Sequence, residues 1–226
     1  NGRIQHPWNA AFNPGTGGAA DSFTVIAWAR TAGSSDYQSV VTSRQDQAPD
    51  STGYILYDGS EGGWEAWTGN GPGPENWQVL TGSPEARGEW EHLALVYEAA
   101  RQQKTFFVNG FSVGTQDGPV APNRVQPLNL GAGGDLGDAF FFNGSLDDVA
   151  IFAGALNPDE VLQVMTGEFA PFEVPATRLL VVAPTDLGEV AIADRAVRAR
   201  FTIGNAGNFP LTIRSLGTPA GVTLDW

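Results

Sequence analysis

The sequence predicts an all-β protein, a sandwich of short antiparallel strands, and three observations carry that prediction. Turn punctuation is dense, with 29 Gly and 15 Pro among 226 residues, and seven Trp and 13 Phe supply rigid core bulk beside a single Met and a single Lys. The apolar and alternating runs are short, and the connections between them leave no room for crossover helices. One hairpin is spelled out in full: Lys104–Val108, then Asn109-Gly110, then Phe111–Gly114, where Asn-Gly tolerates the two positive φ angles of a type I′ turn.

Strands are expected in order at Phe23–Arg30, Gln38–Ser43, Tyr54–Tyr57, Trp64–Trp67, Trp77–Leu80, Trp90–Tyr97, Lys104–Val108, Phe111–Gly114, Leu128–Leu130 and Asp147–Phe152. A two-residue turn sets the hairpin register, so Val108 should face Phe111, Phe106 should face Val113, and Phe107 should face Ser112. The expected core comprises Phe23, Val25, Trp28, Leu93, Leu95, Phe106, Val108, Phe111, Val149 and Ile151. One helix is expected: Asn157 as N-cap, Pro158 at the first position, Glu160 at the third, and Gly167 as the stop. Val161, Leu162 and Met165 would form its packing face.

The formal charge of −13 argues against nucleic acid and anionic membranes, because both need a basic footprint to release counterions. No run reaches the ~20 apolar residues of a membrane span, so membrane insertion is not expected. The charge is uneven. Residues 1–174 carry 7 Arg/Lys against 21 Asp/Glu, while 175–226 carry 5 against 4. With Pro171 and Pro175 marking a linker at 169–178, this divides the chain into a first domain at 1–168 and a second segment at 179–226. The absence of Cys excludes disulfides and thiolate metal sites but leaves the redox compartment open. An opening Asn1 without Met or a signal pattern is read as a piece of a longer precursor.

Five blocks, in order and spacing, resemble the laminin G-like jelly rolls of bacterial surface proteins, which share the concanavalin A-like sandwich. They are Phe23-Thr24-Val25-Ile26-Ala27-Trp28, Trp90-Glu91-His92-Leu93-Ala94-Leu95-Val96-Tyr97, Phe107-Val108-Asn109-Gly110, Asn143-Gly144-Ser145-Leu146-Asp147-Asp148-Val149, and Ala155-Leu156-Asn157-Pro158-Asp159-Glu160-Val161. The resemblance implies a two-sheet antiparallel jelly roll that serves as a module of a large secreted or surface protein. It further implies structural calcium in many members and no catalysis. Leu187–Val190, Arg198–Ile203 and Asn205–Ile213 resemble the start of an immunoglobulin-like domain of the abnormal-spindle/hydin kind, cut short at about four strands where such sandwiches have about seven.

The candidate sites derive from residue chemistry. Tyr54, Tyr57, Trp64, Trp67 and Trp77 lie among Asp58, Glu61, Asn70, Glu75 and Asn76, a mixture of flat aromatic faces and hydrogen-bonding groups suited to sugars. Alternation puts Trp64 and Trp67 on opposite faces, so at least one belongs to the core. Trp77, Trp67, Asp58, Glu75 and Asn76 are therefore the expected ligand contacts, and carbohydrate or another extracellular polymer the expected partner. Asp147, with Asp135 or Asp138 from the Gly-rich run before it, is the candidate calcium site; the competing reading has these side chains accepting backbone N–H bonds. The glycoside hydrolases known on this fold carry Glu-x-Asp-x-x-Glu on one strand, and no such run exists here. His6 and His92 form no metal-ligand spacing, and no Gly-x-Ser-x-Gly elbow occurs. The expectation is a non-catalytic binding module of a bacterial surface or secreted chain, joined to neighbouring domains. A structural spacer is the main alternative and a glycoside hydrolase the lesser one.

Overall fold

The computed structural model describes residues 2–16, 19–33, 36–45, 50–73, 76–133 and 139–168, together with the backbone of two strands further on. Two compact units divide the chain, Asn1–Phe169 and Ala170–Trp226. In the second, Leu179–Val182 pairs antiparallel with Thr202–Asn205. The linker at 169–178 and the rest of the immunoglobulin-like expectation for 179–226 lie outside the described residues.

The first unit is a two-sheet antiparallel sandwich. Its strands are β1 (Ile4–His6), β2 (Gly15–Thr16), β3 (Ala19–Ala20), β4 (Phe23–Thr31), β5 (Gln38–Gln45), β6 (Asp50–Asp58), β7 (Trp64–Gly69), β8 (Gly71–Pro72) and β9 (Trp77–Thr81). There follow β10 (Glu91–Glu98), β11 (Gln103–Val108), β12 (Phe111–Asp117), β13 (Leu128–Leu130), β14 (Gly144–Phe152) and the helix α1 (Pro158–Thr166). One sheet runs β1-β13-β5-β6-β7-β9 with β8 paired to β6, and the other runs β12-β11-β10-β4-β14.

Alternation along the central strands fills the interior. Phe23, Val25, Ala27 and Ala29 of β4 meet Leu93, Leu95 and Tyr97 of β10, Phe106 and Val108 of β11, and Tyr54, Leu56, Trp64 and Ala66 from the facing sheet, all buried in one cluster. Each fully buried Leu or Phe contributes about 1.5–3 kcal/mol relative to exposure. Ile26, Ala94, Val96 and Phe107 point the other way and form a satellite core under α1, whose Val161 is fully buried. The helix starts as its sequence requires: Asn157 accepts from Glu160 N, the Glu160 carboxylate accepts from Asn157 N, and Gly167 ends it at φ 76°.

Four packing expectations are corrected. Trp28 is half-buried on the outer face of the five-stranded sheet, because Val25 and Trp28 differ by an odd number of residues and cannot share a strand face. Phe111, at the tip of the hairpin, is 76% exposed. Beyond the turn, Phe107 faces Ser112 but Phe106 faces Gly114, so Val113 is the extra residue of a β-bulge and its side chain packs against the core from there. On α1, Val161 and Val164 pack inward while Leu162 is 46% exposed. The turn itself is as expected, with Asn109 at φ 51° and Gly110 at φ 79°.

Gly53 shows how closely β5 and β6 approach. It lies at φ 94°, and a Cβ there would collide with the Ser43 carbonyl, so both backbone conformation and space demand glycine.

Candidate functional site

The outer face of the seven-stranded sheet gathers aromatic side chains from three elements. With Tyr54, Leu56, Trp64, Ala66 and Leu80 turned into the core, the intervening residues of β6, β7 and β9 turn outward. Cross-strand register then aligns Ile55, Trp67 and Val79 in one row, Tyr57, Glu65 and Thr81 in the next, and Gly69 beside Trp77. Tyr37, just before β5, and Phe140, before β14, close the group from one side.

The rings form a continuous run. Tyr37 and Tyr57 lie 5.2 Å apart between centroids, Tyr57 and Trp67 5.6 Å, Tyr37 and Trp67 5.7 Å, and Trp67 and Trp77 6.4 Å. Tilted and edge contacts of this kind add ~0.5–1.5 kcal/mol each beyond burial and hold the rings in fixed orientation. Trp67 is further pinned by its indole N–H, which donates to Glu65 Oε2 at 2.7 Å. Arg44, nearly buried, donates from Nη1 to the Tyr57 hydroxyl at 2.8 Å and stacks 5.2 Å above the Phe140 ring. Trp67, Trp77, Tyr37, Phe140 and Glu65 are half-buried and so keep part of their surface in solvent.

Of the expected ligand residues, Trp67 and Trp77 are thus brought together on an accessible face. Asn76 stands at the entry to β9, where its Nδ2 donates to Pro72 O at 2.9 Å and its backbone N–H donates to Ser51 Oγ at 3.0 Å, so it shapes the loop beside Trp77. Glu75 lies outside the described residues. Asp58 is corrected: it is the inward-facing end of β6, fully buried, and accepts from Thr31 Oγ1 at 2.6 Å. Burial pushes its carboxyl pKa up, against the opposing effect of the Thr31 hydrogen bond.

Asp58 belongs to a polar seam inside one end of the sandwich. There the buried Glu91 carboxylate accepts from Trp64 Nε1 at 2.7 Å, Ala86 N at 2.7 Å and Asn109 Nδ2 at 3.2 Å. Trp64 is therefore core, with its one polar atom satisfied. Tyr54 is likewise interior: its hydroxyl donates to Phe12 O at 2.8 Å and burial pushes its pKa up.

Sequence reasoning missed Tyr37, Phe140 and Arg44. The two rings come from connections, where no periodicity reports direction. Arg44 was legible in principle, since it lies opposite Gly53 on the same outward register as Ile55 and Tyr57.

Of the three calcium candidates, Asp147 is the one among the described residues. Asp135 and Asp138 lie outside the described residues, and Asp147 Oδ1 accepts the N–H of Asp148 at 2.9 Å, in a bulge where Asp148 adopts φ 44°. Among the described residues no group of three His, Asp or Glu side chains is placed to hold a metal ion.

Two antiparallel sheets closed into a jelly roll, with a rigid aromatic surface on one outer face, define the architecture of a lectin-type sandwich. The chain belongs to the laminin G group of the concanavalin A-like lectin/glucanases superfamily, whose family model matches residues 9–162. No curated protein matches the sequence. Among solved structures, it is similar to the CBM40 of the Ruminococcus gnavus IT-sialidase bound to α2,3-sialyllactose, at TM-score 0.55 and 22% identity over 65% of this chain and 83% of that one. A candidate carbohydrate-binding protein from Bacteroides ovatus aligns at TM-score 0.53 and 19% identity, over 72% of this chain and 44% of that one. The SAP-like pentraxin of Limulus polyphemus aligns at TM-score 0.51 and 14% identity, over 85% and 93%. At these identities the likeness is one of fold.

Proposed function

We propose that the sandwich is a non-catalytic carbohydrate-binding module that holds a sugar chain across the outer face of the seven-stranded sheet. The observation that carries this reading is the run of half-buried rings, Tyr37, Trp67 and Trp77 over Tyr57, pinned by Glu65 and flanked by Arg44. Flat faces fixed in advance lose little freedom when a ligand stacks on them. Polar groups at their edges fix its orientation. The carbohydrate-binding neighbours support the reading, since the Ruminococcus gnavus module of the same fold carries sialyllactose. Asn76 stands at the rim beside Trp77 in this proposal. Its place is outside a bacterial cell, at the surface or secreted, as one module among neighbouring domains.

A glycan array probed with the whole chain tests this directly. The chain should bind a defined set of sugars, and Trp67→Ala should weaken that binding about tenfold, the value of one aromatic stacking contact at the upper end. Incubation with the bound polysaccharide should release no reducing sugar; release would favour the hydrolase. Absence of binding to any glycan would leave the spacer reading in its place.

A further inference from the structure

The outer face of the five-stranded sheet carries a second aromatic surface, which shares no residue with the platform around Trp67. Trp28, Arg30, Trp90 and His92 alternate outward on β4 and on the approach to β10, and register places His92 opposite Trp28 on one side and Asp147 opposite Trp28 on the other, with Ser145 opposite Arg30. Trp90 is 40% exposed. The Arg30 guanidinium sits 5.1 Å over its ring, and Arg30 Nη2 donates to Ser145 Oγ at 3.3 Å. Trp28 is half-buried and meets the His92 ring edge-on at 5.2 Å. His92 is fully buried, and neither of its ring nitrogens has a hydrogen-bond partner. Neither Trp28 nor Trp90 belongs to the satellite core under α1.

We propose that this face is a second glycan-binding surface, taking a neutral, hydroxyl-rich sugar chain across Trp90 and Trp28 with Arg30, Ser145 and Asp147 as hydrogen-bonding partners. Two large rings partly in water, Trp28 on β4 and Trp90 just ahead of β10, lie on one sheet face and make a patch fit for an occupant. Both are already oriented, Trp90 by Arg30 and Trp28 by His92, so stacking on them costs little ordering. Charge selects the ligand class. Asp147 and Asp148 are both exposed on the strand beside Arg30, in a chain of formal charge −13, so an anionic ligand is disfavoured. A protein partner would want about 800 Å² of complementary surface with an apolar centre, whereas here the two rings are interleaved with Arg30, Ser145 and Asp147. Hydroxyls satisfy those groups without a counter-charge.

Because the two surfaces have no residue in common, they can be tested apart. The whole chain and its Trp67→Ala, Trp90→Ala, Arg30→Ala and Trp67→Ala/Trp90→Ala variants are titrated calorimetrically with cellohexaose, xylohexaose, mannohexaose and maltohexaose. One or more of these should still bind the Trp67→Ala chain. Adding Trp90→Ala should then weaken that binding about tenfold, and Arg30→Ala should weaken it in the same direction, with melting temperatures little changed because both side chains are exposed. Binding that survives in Trp90→Ala but vanishes in Trp67→Ala overturns the second surface and keeps the first. The reverse keeps the second and removes the first. If no hexasaccharide binds the Trp67→Ala chain, the second surface is overturned and the face is left to a protein partner.

Discussion

His92 should make the sandwich lose stability in mild acid. Its ring is fully buried on the outer side of β10, and burial pushes its pKa down from 6.5 to about 4 because the imidazolium would lose its hydration there. The unfolded chain takes up the proton near 6.5, whereas the folded chain resists it until about 4. The contribution is thus complete above pH 6.5 and is lost as pH falls from there toward 4. A displacement of this size is worth roughly 3 kcal/mol across the whole window, and about 2–3 kcal/mol of it should be gone at pH 4.5. The assay is urea denaturation at pH 7.5 and pH 4.5 for the native chain and for His92→Phe, which keeps a ring against Trp28 but cannot titrate. Asp58 titrates in both proteins, and since its folded pKa is raised it opposes the loss as pH falls; the comparison cancels it. The native chain should lose about 2–3 kcal/mol more than the variant. Equal losses would refute the reasoning and mean that His92 reaches solvent in the folded state.

Lys104 should act in the alkaline range: it is buried and its pKa is pushed down to about 8 by burial, with the Asp117 charge opposing, so stability should rise from pH 8 toward 10.5, and Lys104→Met should flatten that rise in thermal melts. Glu91→Ala should cost about 3 kcal/mol or more in denaturant midpoints, because Trp64 Nε1, Ala86 N and Asn109 Nδ2 would be left inside without their acceptor. Glu91→Gln should cost less, since one oxygen remains. Asn157→Ala removes the N-cap of α1 and should lower stability by about 1 kcal/mol, with amide exchange rising first in the satellite core.

The strands and the helix are legible in the sequence because their signals are local. Alternating runs such as Phe23–Arg30, the Asn109-Gly110 turn and the Asn157-Pro158 cap each report the backbone conformation at their own position. Features set by partners far away in the chain leave no such trace. The Val113 bulge keeps the turn unchanged and shifts the register only beyond it. Size and apolarity argue for Trp28 in the core, although the strand's own alternation with Val25 contradicts that. The site is half legible for the same reason: Trp67 and Trp77 sit on strands whose parity can be read, whereas Tyr37 and Phe140 are delivered by connections. Asp58 is suggested as a ligand contact by its neighbours in sequence, yet in the strand it shares the inward face with Tyr54 and Leu56.

The position of β4 bears on how the chain is made. Its neighbours on the sheet are β10 and β14, so Trp28 waits for His92 on one side and Asp147 on the other. As the chain leaves the ribosome, the apolar stretch Phe23-Thr24-Val25-Ile26-Ala27-Trp28 emerges early and stays unpaired on both edges until most of the unit has been synthesised. Such distant closures make for slow folding, and an unpaired apolar strand is open to capture by a neighbouring chain. The interval between translating β4 and translating β14 is therefore when the chain is most open to such capture, and slowing elongation within it should raise the aggregated fraction without altering the finished sandwich.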